Sequence, residues 1–303
     1  MQSHDFNGRV AVVTGAGRGI GAAYARLLAE LGASVVVNDL GGSIGGSGTD
    51  ATPASAVADE IGAAGGVAVA DHHDVSDPEG AAALVGAAVE RFGRLDVLVN
   101  NAGIIRWAGM PEVDGDNLAS HLAVHVGGSF HTTRAAWPTM VEQGYGRIVM
   151  TTSAGLFGLP ANLSYATAKG GVVGMTRSLS LSGADHGIKV NLIAPAAVTR
   201  MAGPGADEST MPPHLVAPMV AYLAHEDCPV TGEIYAAGAG RFAKVFIASS
   251  PGWLADDGAP TVDDVAAHWD EINDESGYTV PGDLMEWSRT FTGHLDPDRS
   301  ADG

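Results

Sequence analysis

The chain has 303 residues, 46 % hydrophobic and 17 % charged, which is enough apolar material for a sizeable core and rules out a disordered polypeptide. Lys and Arg number 16 against 35 Asp and Glu, a formal charge of −19, and a field of that sign repels polyanions, so nucleic acid is excluded as an expected partner. Cys228 is the single cysteine, no run approaches 18 apolar residues, and the first residues lack the basic and apolar regions of a signal peptide. Disulfide scaffolds and cysteine zinc clusters are thereby excluded, no membrane segment is expected, and a reducing, cytoplasmic location is.

In chain order, two periods alternate over the first 240 residues. Short β-branched runs read as buried parallel strands: Val10–Thr14, Ser34–Asn38, Val67–Ala70, Val97–Asn100, Ile148–Thr152, Val190–Ile193 and Ile234–Ala237. Between them lie Ala- and Leu-rich stretches of helical length: Ile20–Leu31, Pro53–Ala63, Pro78–Phe92, Asp116–Gln143, Tyr165–Ala184 and His214–His225. Such alternation predicts an α/β fold, a doubly wound seven-stranded parallel sheet spanning residues 1–249. The Gly/Ser-rich stretch Gly41–Asp50 reads as a flexible loop, and Met201–Pro213, at the carboxyl edge of the sheet, as a mobile lid. Residues 250–303 form an acidic C-terminal extension, and residues 251–303 alone hold thirteen Asp and Glu against two Arg. Thr261–Ile272 reads there as one amphipathic helix with Thr261 as N-cap and the rest as coil. At that length the extension is expected to pack on the same or a neighbouring subunit.

Val10–Gly21 reads VAVVTGAGRGIG. A buried strand runs into Gly15, Gly17, Gly19 and Gly21, with Arg18 between them, and a helix opens at Ile20. Glycines let the backbone approach a pyrophosphate closely, and the helix N-terminus offers unpaired N–H groups and a positive dipole end. Twenty residues after Gly19 stands Asp39, placed to accept from both adenosine ribose hydroxyls. A 2′-phosphate would meet its like charge, so NAD is expected over NADP. Arg18 argues mildly the other way.

Tyr165 and Lys169 lie four apart on a predicted helix, hence on one face. An ammonium beside the phenol, together with a positive nicotinamide ring, is expected to lower its pKa from about 10 and make it a general acid/base near neutrality. Ser153, at the end of the fifth strand, can hydrogen-bond the reacting oxygen.

These motifs, Thr14-Gly15-x-x-x-Gly19-x-Gly21, Asn100-Asn101-Ala102-Gly103, Ser153 and Tyr165-x-x-x-Lys169, resemble the classical short-chain dehydrogenase/reductase family over roughly residues 6–245. The resemblance is closer to one branch, the (3R)-hydroxyacyl-CoA dehydrogenase part of the type 2 peroxisomal multifunctional enzyme and its bacterial relatives. That likeness is carried by Val36–Gly42, Thr133–Trp137, Tyr145–Thr151, Arg200-Met201 and Gly238–Gly240 followed by Lys244. The resemblance implies a Rossmann fold, an NAD-dependent oxidoreductase, and a homodimer or homotetramer. In it Tyr165 takes the substrate proton, Ser153 holds the reacting oxygen, Lys169 supports the phenolate, and Asp74, Val75, Asn101, Ala102, Gly103, Pro195, Val198 and Thr199 contact the cofactor.

Three departures stand out. Ser153 precedes Tyr165 by 12 residues where the family has 13, which leaves Thr152 as the alternative. His125 replaces an Asn that helps hold the family's proton relay; a relay role and a satisfied core histidine remain equal readings. Pro195-Ala196 stands where the family has Pro-Gly. The other histidines show no metal-ligand spacing, and no metal is assigned. The expected substrate is a secondary alcohol, foremost a (3R)-3-hydroxyacyl-CoA with a possible steroid-derived acyl group, for which Arg106, Arg134, Arg200, Arg241 and Lys244 are candidate phosphate contacts. The alternatives are a hydroxysteroid or other apolar alcohol, and a non-catalytic NAD-binding protein.

Overall fold

The computed structural model describes residues 4–202, 207, 209–255 and 258–295. Eight strands form one sheet: β1 (Val10–Thr14), β2 (Ser34–Asn38), β3 (Val67–Asp71), β4 (Val97–Asn100), β5 (Gly146–Thr151), β6 (Ile188–Pro195), β7 (Ile234–Gly238) and β8 (Arg241–Val245). Their order is β3-β2-β1-β4-β5-β6-β7-β8, and every pair up to β7 is parallel. The central strands are buried along their length, as strands covered on both faces must be. The order reverses between β2 and β4 around β1, and that switch point opens a crevice at the carboxyl ends of the strands.

The helices are α1 (Gly19–Glu30), α2 (Thr52–Ala63), α3 (Pro78–Phe92), α4 (Gly115–His121), α5 (Gly128–Gln143), α6 (Leu163–Gly183) and α7 (Ala217–Ala224). One core cluster runs from β1, β2, β4 and β5 into α1, α2 and α7, including Val13, Val37, Val99, Val149, Leu28, Ile61 and Leu223.

The sheet is the doubly wound parallel one expected, with an eighth strand added. β8 follows β7 after only Ala239 and Gly240, both at positive φ, a turn too short for a parallel crossover, so the chain doubles back. Its residues are exposed, which is why a search for buried β-branched runs passes over it. The single helix expected over Asp116–Gln143 is instead α4, a π-helical turn at Leu122–Gly127, and α5. Of the lid expected at Met201–Pro213, residues 203–206 and 208 lie outside the described residues.

The chain divides into two compact units, Met1–Lys244 and Val245–Gly303. In the second unit Thr261 is an N-cap as expected, in a reciprocal capping box with Asp264. The helix over Thr261–Ile272 breaks into α8 (Val262–Ala267) and α9 (Trp269–Ile272) at His268, whose ring stacks on Trp253 at 4.0 Å and bonds the Asp264 carbonyl. The coil reading also misses α10 (Leu284–Phe291), capped by Asp283. Among the described residues no helix is long and apolar enough to cross a membrane.

Candidate active site

The β1–α1 turn is built by close backbone approach. Gly15 has φ +62°, and a Cβ there would come 2.8 Å from Ala102 Cα, so the loop after β4 seats directly on the glycine turn. The Thr14 hydroxyl accepts from the amides of Asn101 and Ala102, both at 3.0 Å. The Asn101 side chain donates back to the Thr14 and Gly15 carbonyls at 2.9 and 3.1 Å. No side chain caps α1, so its first N–H groups remain available to an anion.

A cavity of about 360 Å³ occupies the crevice. It gathers Gly15, Arg18, Gly19, Ile20 and Gly21 from the first turn and Asp39, Asp74 and Val75 from beyond β2 and β3. Asn101, Ala102, Gly103, His125, Tyr165, Lys169, Pro195 and Thr199 join them, while Ser153 is not among the lining residues. Val198 is not among its lining residues; its amide donates to Met211 O at 2.9 Å. Ala196 takes the place of the family's glycine without a positive φ.

Asp39 is buried and accepts from the amides of Gly17 at 2.8 Å and Gly41 at 2.7 Å. A carboxylate offers about four acceptor positions, so two remain for a ribose diol. Arg18 lies 3.8 Å from Asp50, and Arg200, also on the cavity wall, donates to the Gly42 carbonyl at 3.3 Å. The Asp74 carboxylate is taken by Ser76, whose amide and hydroxyl donate to it at 2.9 and 2.7 Å.

At the far end, Lys169 is buried on α6 and its Nζ donates to the Thr151 carbonyl at 2.7 Å. Burial depresses its pKa to about 7, because an ammonium loses hydration there. Its Nζ lies 5.5 Å from the Tyr165 ring centroid. In the free chain burial raises the Tyr165 phenol and a hydrogen bond with Ser153 pulls it down; the lowering expected beside a nicotinamide ring concerns the bound state. In the free chain, then, Lys169 does not by itself bring this phenol below its ordinary value.

The structure separates the two candidates before Tyr165. Thr152 is fully buried, its hydroxyl donating to the Lys169 carbonyl at 3.0 Å. Ser153 faces Tyr165 and caps the short turn that follows by accepting from the Gly155 amide at 3.0 Å.

His125 lies in the π-helical turn, buried, its ring edge-on to Tyr165 at 5.2 Å. Its Nε2 stands 2.8 Å from the Ile104 carbonyl and 3.2 Å from the Ile104 amide; the shorter contact favours the proton on Nε2 and leaves Nδ1 a bare acceptor. That Nδ1 and the Thr151 hydroxyl are buried without a protein partner, and both residues line the cavity. Orphaned polar atoms of this kind call for an occupant. With the open helix terminus and the half-used Asp39 carboxylate, they fit a dinucleotide.

Sequence reasoning missed His121. It is fully buried, stacks on His125 at 5.9 Å and 8°, and meets Tyr165 edge-on at 6.3 Å. The signal was present, since His121 and His125 are four apart.

The short chain dehydrogenase family model matches residues 9–208. A Mycobacterium tuberculosis protein named only as a short-chain type dehydrogenase/reductase is 43 % identical over 278 residues, 90 % of this chain and 97 % of that one. The peroxisomal multifunctional enzyme type 2 of Drosophila melanogaster is 40 % identical over 94 % of this chain, which spans 48 % of the fly protein. The solved structure of that full-length enzyme superposes with a TM-score of 0.80 at 34 % identity, covering 96 % of this chain and 50 % of the fly chain. The chain belongs to the short-chain dehydrogenase family; it is an oxidoreductase of the kind that binds a nicotinamide cofactor, and among its relatives are the multifunctional enzymes of type 2.

Proposed function

We propose that the protein transfers hydride between NAD and a secondary alcohol or ketone, with a (3R)-3-hydroxyacyl-CoA as the foremost substrate. The observation that carries the cofactor choice is Asp39, whose anion is fixed by two backbone amides and faces the cavity. A 2′-phosphate there would meet a buried like charge. Arg18 and Arg200 offer weaker compensation, being engaged with Asp50 and the Gly42 carbonyl.

Bound NAD supplies the hydride acceptor and a positive ring beside the reacting carbon. Tyr165 takes the hydroxyl proton as the alcohol is oxidised and returns it when a ketone is reduced. Burial raises the phenol of the free chain, and a positive charge beside it would lower it. Lys169 stabilises the phenolate and holds the floor of the site through Thr151. Ser153 donates to the substrate oxygen. His125 offers Nδ1 as the acceptor for a water that passes the proton onward.

Two features support an apolar acyl group. The loops after β4 and β5 join through the Ala108 amide and the Ala161 carbonyl at 3.0 Å and carry exposed Trp107, Met110, Phe157 and Leu159. The identity with type 2 multifunctional enzymes points the same way. A free hydroxysteroid fits the apolar loops equally and is the second reading. Exposed Leu118, Leu122, Phe130, Leu163 and Leu181 on the α4–α6 face fit a homodimer or homotetramer, which light scattering measures.

A panel of 3-oxoacyl-CoAs, oxosteroids and simple ketones, each with NADH and NADPH, tests the reading. Faster turnover of the thioesters with NADH is expected; turnover of oxosteroids alone would move the substrate, and preference for NADPH would overturn the role of Asp39. Ser153→Ala should slow turnover about a hundredfold, and an unchanged rate would hand its role to Thr152.

A further inference from the structure

Residues 104–106 leave the wall of the cavity at Ile104 and pass between the π-helical turn and the glycine-rich loop 41–50, their hydrogen bonds alternating in direction as in a strand. In extended backbone, the polar groups of alternate residues point the same way. The Ile104 carbonyl and the Arg106 amide turn to the helix, and the Ile105 amide turns to the loop, donating to the Ile44 carbonyl at 3.0 Å. On the helix side no strand meets them; two histidines do. His125 donates from Nε2 to the Ile104 carbonyl at 2.8 Å. His121 donates from Nδ1 to the Asn117 carbonyl at 2.8 Å, which fixes its tautomer and leaves Nε2 to accept from the Arg106 amide at 3.3 Å. The Asn117 side chain closes the pattern by donating to the Arg106 carbonyl at 3.1 Å.

The two rings lie parallel within 8°, so the position of one limits the other. Gly103 shows how little slack remains: a Cβ there would sit 2.5 Å from His125 Cε1. Arg106 carries the lacing across, from Ser120 on α4 at 3.0 Å to the Gly45 carbonyl of the loop at 2.7 Å. Gly103, Ile104 and His125 all line the cavity next to Tyr165 and Lys169. His121 itself does not.

We propose that His121 is a positioning residue: its imidazole acts as the missing strand edge for residues 104–106 and sets, through His125, the cavity wall that receives the nicotinamide end of the cofactor. It touches neither cofactor nor substrate. Burial keeps both imidazoles neutral at neutral pH, as the acceptor at His121 Nε2 requires. The proposal rests on the dinucleotide reading above.

The test compares two ligands by equilibrium binding: NADH, and ADP-ribose, which lacks the nicotinamide. His121→Phe keeps the ring's volume and removes both hydrogen bonds, leaving the Arg106 amide unpaired. NADH affinity should fall about tenfold and ADP-ribose affinity change less than about twofold, the difference one lost buried hydrogen bond gives. His121→Gln restores a donor and an acceptor and should bring NADH back to within about threefold of the parent. Equal weakening of both ligands, no weakening, or no rescue by Gln would overturn the assignment. Should His121→Phe fail to fold, the intact chain still decides: the His121 ring nitrogens should shift in the NMR spectrum with NADH and stay unmoved with ADP-ribose. Equal responses would refute it. An unsubstituted protein that binds neither ligand would instead refute the dinucleotide reading, and shows itself before any substitution is made.

Discussion

The two edges of the sheet both bury charged and aromatic side chains, and they treat them in opposite ways. At the amino edge, Asp96 is fully buried and accepts from Arg9 at 2.9 Å, from Arg94 at 2.6 and 2.7 Å, and from the Val10 amide at 2.9 Å. The Tyr145 ring lies between the guanidiniums of Arg9 and Arg147, at 4.0 and 4.3 Å. Arg147 spends its donors on the carbonyls of Gly146, Gly187, His225 and Glu226. At the carboxyl edge, His125 Nδ1 and Thr151 Oγ1 have no protein partner, Lys169 is driven down to about 7, and Tyr165 is driven up. A saturated cluster holds a fold together. One that leaves donors and acceptors bare is built for something else to enter.

The contrast breaks most visibly at Tyr165. Tyr165→Phe should slow turnover about a thousandfold, the span of a lost general acid/base, while the protein folds and binds NADH as before. A phenylalanine enzyme of normal rate would remove the chemistry from this edge.

Lys169 gives the next effect. Its folded pKa of about 7 lies below the ordinary lysine value of 10.5, so between those values the unfolded chain binds more protons than the folded one. The free protein should therefore gain stability as pH rises from about 7 towards 10, by about 1 kcal/mol per pH unit, with the full penalty present below pH 7. Lys169→Met should flatten that slope in denaturant titrations; an unaltered slope would mean the ammonium is not desolvated.

Asp96→Ala sharpens the comparison from the other side. It strands the Val10 amide and two arginines, which keep partial access to water, so the loss should be about 2 kcal/mol of stability. NADH affinity of the folded protein should hold. A selective loss of affinity would mean the two edges are not separate in function. The smallest effect belongs to Asp39→Ser, which should shift the NADH-to-NADPH affinity ratio about tenfold towards NADPH.

Much of this was legible in the chain. The strands β1, β2 and β4 have the predicted bounds because buried parallel strands are written as unbroken β-branched runs. The glycine turn, Asp39, Tyr165 and Lys169 were legible because their chemistry depends on local spacing. What escaped depends on partners distant in sequence. β8, RFAKV, is an exposed edge strand without the unbroken β-branched run of the buried strands. The spacing of His121 and His125 puts them near one another, but the π-helical turn and the backbone of residues 104–106 that the two rings meet have no local signature. Burial at Tyr165 is likewise a property of the whole fold: spacing places an ammonium near the phenol, while burial weakens that ammonium and raises the phenol of the free chain.

The most direct test is to follow the hydride itself. NADH carrying deuterium at the transferred C4 position is incubated with the protein and each ketone of the panel, and the alcohol is analysed by mass spectrometry. One deuterium on the new carbinol carbon, undiluted by solvent hydrogen, is predicted for at least one ketone. Bound NADH that delivers deuterium to none of them, or loses it to water, would contradict the account.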